Sequence, residues 1–131
     1  MTTTVRPFLM FEGRAEEAMD FYVSLFEDGE VLEVSRYGKD GPGAEGSVIV
    51  ATFRIGGQTA MCSDSPAKHA FTFTPSVSLF VTCRDEAEIR RLAAALDSGD
   101  NVFMPLGDYG FSRLFAWVGD QFGVTWQLNL P

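Results

Sequence analysis

Gly119-Asp120-Gln121-Phe122-Gly123-Val124-Thr125-Trp126-Gln127-Leu128-Asn129-Leu130 reads as a turn feeding a strand. From Val124 the residues alternate. Strand side chains repeat with a period of two, so Val124, Trp126, Leu128 and Leu130 share one face and Thr125, Gln127 and Asn129 the other. The apolar face has to pack on a core. The amide and hydroxyl face has to meet water, a polar cavity or a partner, because burying such groups unpaired costs a few kcal/mol each. The expectation is that this face looks into a binding cavity.

Working outward, the chain repeats one order of elements. Pro7 to Glu12 is a short apolar run, broken by Gly13. A helix over 15–26 follows, with Ala18, Phe21, Tyr22, Leu25 and Phe26 at three- and four-residue spacing and Glu16, Glu17 and Asp20 in its early turns. Val31 to Arg36 reads as an edge strand, and residues 38–46 as a Gly-rich connection. Ser47–Ile55 and Gln58–Ser63 are strands joined by Gly56-Gly57, a strong hairpin signal. After a loop over 64–75, Ser76–Cys83 is β-rich. Asp85 caps a helix through Leu96, with Ala87, Ile89, Leu92, Ala93 and Leu96 as its stripe. Val102–Leu106, Phe111–Val118 and Val124–Leu130 complete the set. The order strand, helix, three strands occurs twice, which implies a duplicated βαβββ unit. Neither half can bury both faces of its sheet, so the expected fold is α+β, with two modules forming a curved mixed sheet and helices outside. The chain is read as a single domain over 1–131, with module one at about 5–64, a linker at about 65–75 and module two at about 76–131.

Composition narrows the class of partner. At 131 residues and 46% apolar content the chain can build a sizeable core. A formal charge of −8, with scattered Lys and Arg, argues against nucleic acid or an anionic membrane surface. No apolar run approaches the roughly 20 residues that span a bilayer. Residues 1–6 lack the layout of a secretory signal. Cys62 and Cys83 form no metal or redox spacing, and free thiols in a reducing cytoplasm are the expectation.

Three blocks carry a resemblance: Pro7-Phe8-Leu9-Met10-Phe11-Glu12-Gly13, Ala15-Glu16-Glu17-Ala18-Met19-Asp20-Phe21-Tyr22, and Asp120-Gln121-Phe122-Gly123-Val124-Thr125-Trp126-Gln127. Together they resemble the vicinal oxygen chelate superfamily, which includes glyoxalase I, bleomycin-resistance proteins and extradiol dioxygenases. The closer likeness is to the PhnB-like branch labelled 3-demethylubiquinone-9 3-methyltransferase. The resemblance implies βαβββ modules around a concave sheet, a homodimer, and in many members a divalent metal. The metal positions of the superfamily fall here on Pro7, near Val50, on Ser76 and on Gln127. None is His, Asp, Glu or Cys, so neither a metal nor any other cofactor is expected. Methyl transfer is not expected either. The Gly-rich stretch at 38–46 contains Pro42 and runs between two strands, so no helix N-terminus follows to take up adenosylmethionine.

The expected function is therefore binding of a small organic molecule in a metal-free cavity, with no catalytic residue named. The cavity is expected to be lined by Gln127, Thr125, Ser76, Ser78 and Trp117, with Cys62 and Phe8 or Leu9 nearby. Amides and hydroxyls orient a ligand while aromatic walls supply contact area. Phe111, Arg113, Phe115 and Trp117 are placed on one strand face, with Arg113 as an anion anchor; the same aromatic residues would equally fill a core. His69 reads as an exposed loop residue lacking a partner for proton transfer, and Cys62 as a packing residue before a nucleophile. Cys83, beside Arg84, is weaker still. Glu12 and Asp120 read as turn-shaping residues, and Asp64 as a rim residue that could contact substrate. The rival reading is an enzyme of the same superfamily: a lyase, isomerase or dioxygenase acting on a small metabolite. A third is an interaction domain whose pocket is filled by its own Phe side chains.

Overall fold

The computed structural model describes residues 2–131. The chain divides into two compact units, the first ending at His69 and the second starting at Ala70. The first contains β1 (Phe8–Phe11), α1 (Ala15–Leu25), β2 (Glu30–Arg36), β3 (Val48–Ile55) and β4 (Gln58–Asp64). The second contains β5 (Ser78–Thr82), α2 (Glu86–Leu96), β6 (Val102–Gly107), β7 (Leu114–Gly119) and β8 (Thr125–Leu130). Both halves have the βαβββ order. Hydrogen bonding resolves the sheet into two four-stranded mixed sheets, ordered β1-β4-β3-β2 and β5-β8-β7-β6. In each, the first strand runs parallel to the last strand of its unit and the other pairs are antiparallel.

In the first unit Ala18, Met19, Tyr22 and Leu25 of α1 are buried, and the Tyr22 ring lies 6.4 Å from Phe53 of β3. The stripe runs through Ala15 and Met19 rather than Phe21 and Phe26, which stay half-buried. Gly56 and Gly57, both at positive φ, turn β3 into β4. That left-handed conformation is open to glycine without a steric cost. Asp28 secures the turn by accepting both glycine N–H groups at 2.8 Å. Those bonds, that of Gly57 first, hold its carboxyl below the usual range.

Asp64 holds the first unit together. Expected on a loop rim, it is instead the last residue of β4 and is buried. Its Oδ1 accepts Gly13 N–H and Ala15 N–H at 2.8 and 2.9 Å, and its Oδ2 accepts Val48 N–H at 3.1 Å. Helix α1 has no side-chain cap of its own at Arg14. The carboxylate satisfies the first N–H of the helix, that of Ala15, from a distance in sequence, where a negative charge also suits the helix dipole.

In the second unit Asp85 caps α2 by accepting Glu88 N–H at 2.8 Å. Ile89, Leu92, Ala93 and Leu96 are buried, whereas Ala87 is exposed and leaves the stripe. Strand β7 starts at Leu114, not Phe111, because Asp108 and Gly110 shape a bend ahead of it. Asp108 accepts Gly110 N–H at 2.9 Å, and Gly110 has φ +94°. Replacing Asp64 with Ala should cost about 3 kcal/mol in chemical denaturation, because three N–H groups lose a buried charged acceptor. A loss under 0.5 kcal/mol on the same scale would show that water replaces it and that the staple carries little.

Candidate functional site

Strand β8 is bonded on both sides, to β5 and to β7, and so lies inside its sheet. Trp126, Leu128 and Leu130 are buried on the face that α2 covers. Asp120, also buried, sets the register. Its Oδ1 accepts Phe122 N–H and Val124 N–H, and its Oδ2 accepts the Trp126 indole N–H at 2.9 Å. Gly123, at φ +90°, lets Asp120 N–H return to the Val124 carbonyl. One carboxylate thus fixes the turn and the first large side chain of the strand. Alternation then puts Thr125, Gln127 and Asn129 on the face away from α2.

Register decides what joins them. Gln127 is paired with Phe80 of β5 on one side and Trp117 of β7 on the other. Asn129 is paired with Thr82 and Phe115 in the same way, and Met104 of β6 is paired with Trp117. Phe80, Met104, Phe111, Phe115, Trp117, Gln127 and Asn129 line an open hollow of about 480 Å³. The aromatic rings interlock: Phe103 lies 4.8 Å from Trp117, and Phe111 meets Phe115 edge-on at 5.0 Å. The Trp117 indole N–H is buried, and no hydrogen-bond acceptor reaches it among the described residues. No charged side chain lines the hollow. Its chemistry is two carboxamides in an aromatic bed.

The hydroxyls sit beside the hollow, on the same face, along the β5–β8 seam. Thr125, buried, donates its hydroxyl to the Val77 carbonyl at 2.9 Å and lies 2.9 Å from Ser78 Oγ. Gln127 Nε2 approaches Ser78 Oγ at 3.5 Å, the long limit for such a bond. Thr125 and Ser78 therefore support Gln127 rather than line the hollow. Ser76 lies ahead of β5, exposed, with its hydroxyl 2.7 Å from that of Thr74. Arg113 lies outside β7 and donates Nε–H to the Pro131 carbonyl at 2.6 Å, so its guanidinium is tied to the chain end instead of a lining position.

The first unit holds the remaining candidates. Cys62 is paired with Leu9 and Ala51 on the buried face of β4, whereas Phe8, paired with Met61, is exposed. Burial first, and the Asp64 charge second, push the Cys62 thiol up to about 12. Cys83 is also buried, and burial ahead of Glu88 pushes it up to about 11. His69 is half-buried with Nε2 at 2.8 Å from Ser65 Oγ, a partner that sequence alone did not offer. Ser65 donates to the Ala67 carbonyl and accepts Ala67 N–H, which makes it part of a turn. Glu12 accepts His69 N–H at 3.3 Å and closes the same loop.

The divalent metal that the superfamily implies does not fit these residues. Pro7 and Val50 carry no donor atom, Ser76 is bonded to Thr74, and the lining of the hollow offers carboxamides and a thioether. Hard and borderline divalent ions require carboxylate, imidazole or thiolate donors in number. Among the described residues, no three His, Cys, Asp or Glu side chains come together to hold an ion. No helix of the described residues is long and apolar enough to cross a membrane.

The family model described as 3-demethylubiquinone-9 3-methyltransferase matches residues 3–129. The chain belongs to that family. In this PhnB-like family, a solved PhnB protein from Bacillus cereus is 52% identical, covers 98% of this chain and 100% of its own, and superposes with a TM-score of 0.93. An uncharacterised protein of Mycobacterium bovis is 32% identical over 126 residues, which are 89% of this chain and 76% of that protein. A glyoxylase/bleomycin resistance protein/dioxygenase domain from Frankia is 12% identical, covering 99% and 98% of the two chains, at a TM-score of 0.64. That last likeness establishes the glyoxalase/bleomycin-resistance fold and, at this identity, the fold alone.

The thiols provide a direct check on the buried side of the sheets. At pH 8 a disulfide reagent such as DTNB should titrate neither Cys62 nor Cys83 in the native protein and both in guanidinium. Rapid labelling of native Cys62 would contradict its burial. The sign for stability follows from the same shifts. Above about pH 9 the unfolded chain releases thiol protons that the folded chain keeps to about 11 and 12. Stability therefore falls as pH rises through that window.

Proposed function

We propose that this family member binds a small organic molecule, without a metal, in the hollow on the open face of the second sheet. The observation that carries the reading is the pairing of Gln127 with Trp117 and of Asn129 with Phe115 across neighbouring strands. A carboxamide set against an aromatic ring is the ordinary make-up of a ligand site: directional polar groups in an apolar wall. A volume of about 480 Å³ is within the range of small-molecule pockets. Cys62, buried on β4, and Arg113, bonded to the Pro131 carbonyl, take no part in this reading, and Thr125 and Ser78 act beside Gln127. Methyl transfer is not adopted, since the Gly-rich segment at 38–46 runs from β2 into β3, with no helix N-terminus to bind a cofactor.

The test is a thermal-shift screen of neutral aromatic metabolites with the full chain, purified without chelator. A hit should raise Tm in the wild type, and Gln127→Leu should weaken its binding roughly tenfold, the equivalent of about one hydrogen bond. Elemental analysis of the same preparation should find no stoichiometric metal. A ligand indifferent to Gln127→Leu, or a metal at one equivalent, would overturn the reading. A homodimer belongs to the same proposal, on the family likeness and on the exposure of Phe80 and Phe111 at the rim. Sedimentation should give about twice the 14.4 kDa chain mass, and a single-chain mass would remove that part.

A further inference from the structure

The polarity of the Gln127 carboxamide follows from counting protons along the seam. The Val77 carbonyl can only accept, and it takes the Thr125 hydroxyl proton. Thr125 has no second proton, so the contact between Thr125 and Ser78 at 2.9 Å requires Ser78 to donate. The Ser78 proton is then spent as well. Toward Gln127, Ser78 can offer only a lone pair, and the group facing it is Nε2. The reverse amide orientation would set a carbonyl oxygen against that lone pair. The run Gln127 to Ser78 to Thr125 to Val77 therefore has one direction, fixed by a backbone carbonyl that cannot change role.

A glutamine has one carbonyl acceptor and two N–H donors. With one N–H turned to Ser78, Gln127 keeps its carbonyl oxygen and one further N–H for the hollow. Among the described residues no other hydrogen bond to this side chain is present. Phe80 and Trp117 flank the amide, from β5 and β7. No charged group lines the hollow to balance an ionic ligand, and the chain carries a net charge of −8. A buried charge without a partner is costly, so the fitting ligand is neutral.

We propose that Ser78 and Thr125 are positioning residues that fix the Gln127 amide, so that the hollow selects a neutral, flat aromatic molecule bearing an N–H beside a carbonyl, the edge of a lactam. This rests on the binding function proposed above and adds the ligand class. The lactam N–H donates to Gln127 Oε1 and the lactam carbonyl accepts the remaining Nε2–H, while its ring lies among Phe80, Phe115 and Trp117.

Three probes of one shape test it: isoindolin-1-one, its N-methyl derivative, and 1-indanone, which keeps the carbonyl but has no N–H. Each is titrated into ¹⁵N-labelled full-length protein, and Kd is read from chemical shifts. The wild type should bind the lactam about fivefold to tenfold tighter than either analogue, the usual worth of one hydrogen bond. In Ser78→Ala the amide is free to turn, and the preference should fall to within about twofold while 1-indanone binds as before. Equal binding of all three probes by the wild type, or a preference untouched by Ser78→Ala, would overturn the proposal and leave the hollow as an aromatic site. If no probe perturbs Gln127 or Trp117, the proposal and the binding function fall together.

Discussion

Strand β8 has to satisfy two surroundings at once. It is hydrogen-bonded along both edges, so it cannot twist away or slip without breaking two ladders. Its Trp126, Leu128 and Leu130 side chains are removed from water under α2, and a slip of one residue would exchange them for Thr125, Gln127 and Asn129. That exchange would bury carboxamides and expose a tryptophan. The core therefore fixes the direction in which Gln127 points. The candidate site is the other side of the same packing constraint.

Each unit is secured by one buried aspartate, used differently. Asp120 works locally, binding groups two, four and six residues ahead. It delivers β8 in register from its own turn. Asp64 works across the chain, taking N–H groups from Gly13, Ala15 and Val48. It joins the end of β4 to the entry of α1 and the start of β3. Each carboxylate accepts three N–H hydrogen bonds that fasten a turn or a strand end. An acidic side chain beside a strand end, in this chain, is a fastening.

Periodicity made most of the fold legible. The strict alternation from Val124, the Gly56-Gly57 turn, the Asp85 cap and the repeated order of elements each have a local physical cause that one sequence displays. The turn role of Asp120 was readable for the same reason. Asp64 was not, because its partners lie 16 to 51 residues away and no spacing announces them. Arg113 was assigned to a strand face that begins one residue later, after a bend whose signal, Asp108-Tyr109-Gly110, was present in the sequence but outweighed by the aromatic run. Phe115 with Trp117, and Gln127 with Asn129, could be placed on shared strand faces from alternation alone. Phe80 and Met104, and the meeting of Gln127 with Trp117, needed register, which depends on which strands become neighbours. The use of Thr125 and Ser78 beside the glutamine needed atomic distances.

The hollow is lined by carboxamides, aromatic rings and a thioether, none of them the carboxylate, imidazole or thiolate that divalent ions require in number. Such a lining suits the reading proposed above, a ligand held by directional hydrogen bonds. A ¹H–¹⁵N spectrum of the side-chain amides and indoles, recorded as an aromatic lactam is added, addresses this most directly. The account predicts that the Gln127 carboxamide and Trp117 indole signals move together and saturate, while the indole signal of Trp126, on the opposite face of β8, stays still. Movement confined to the Trp126 indole, or saturation that leaves Gln127 unmoved, would contradict it.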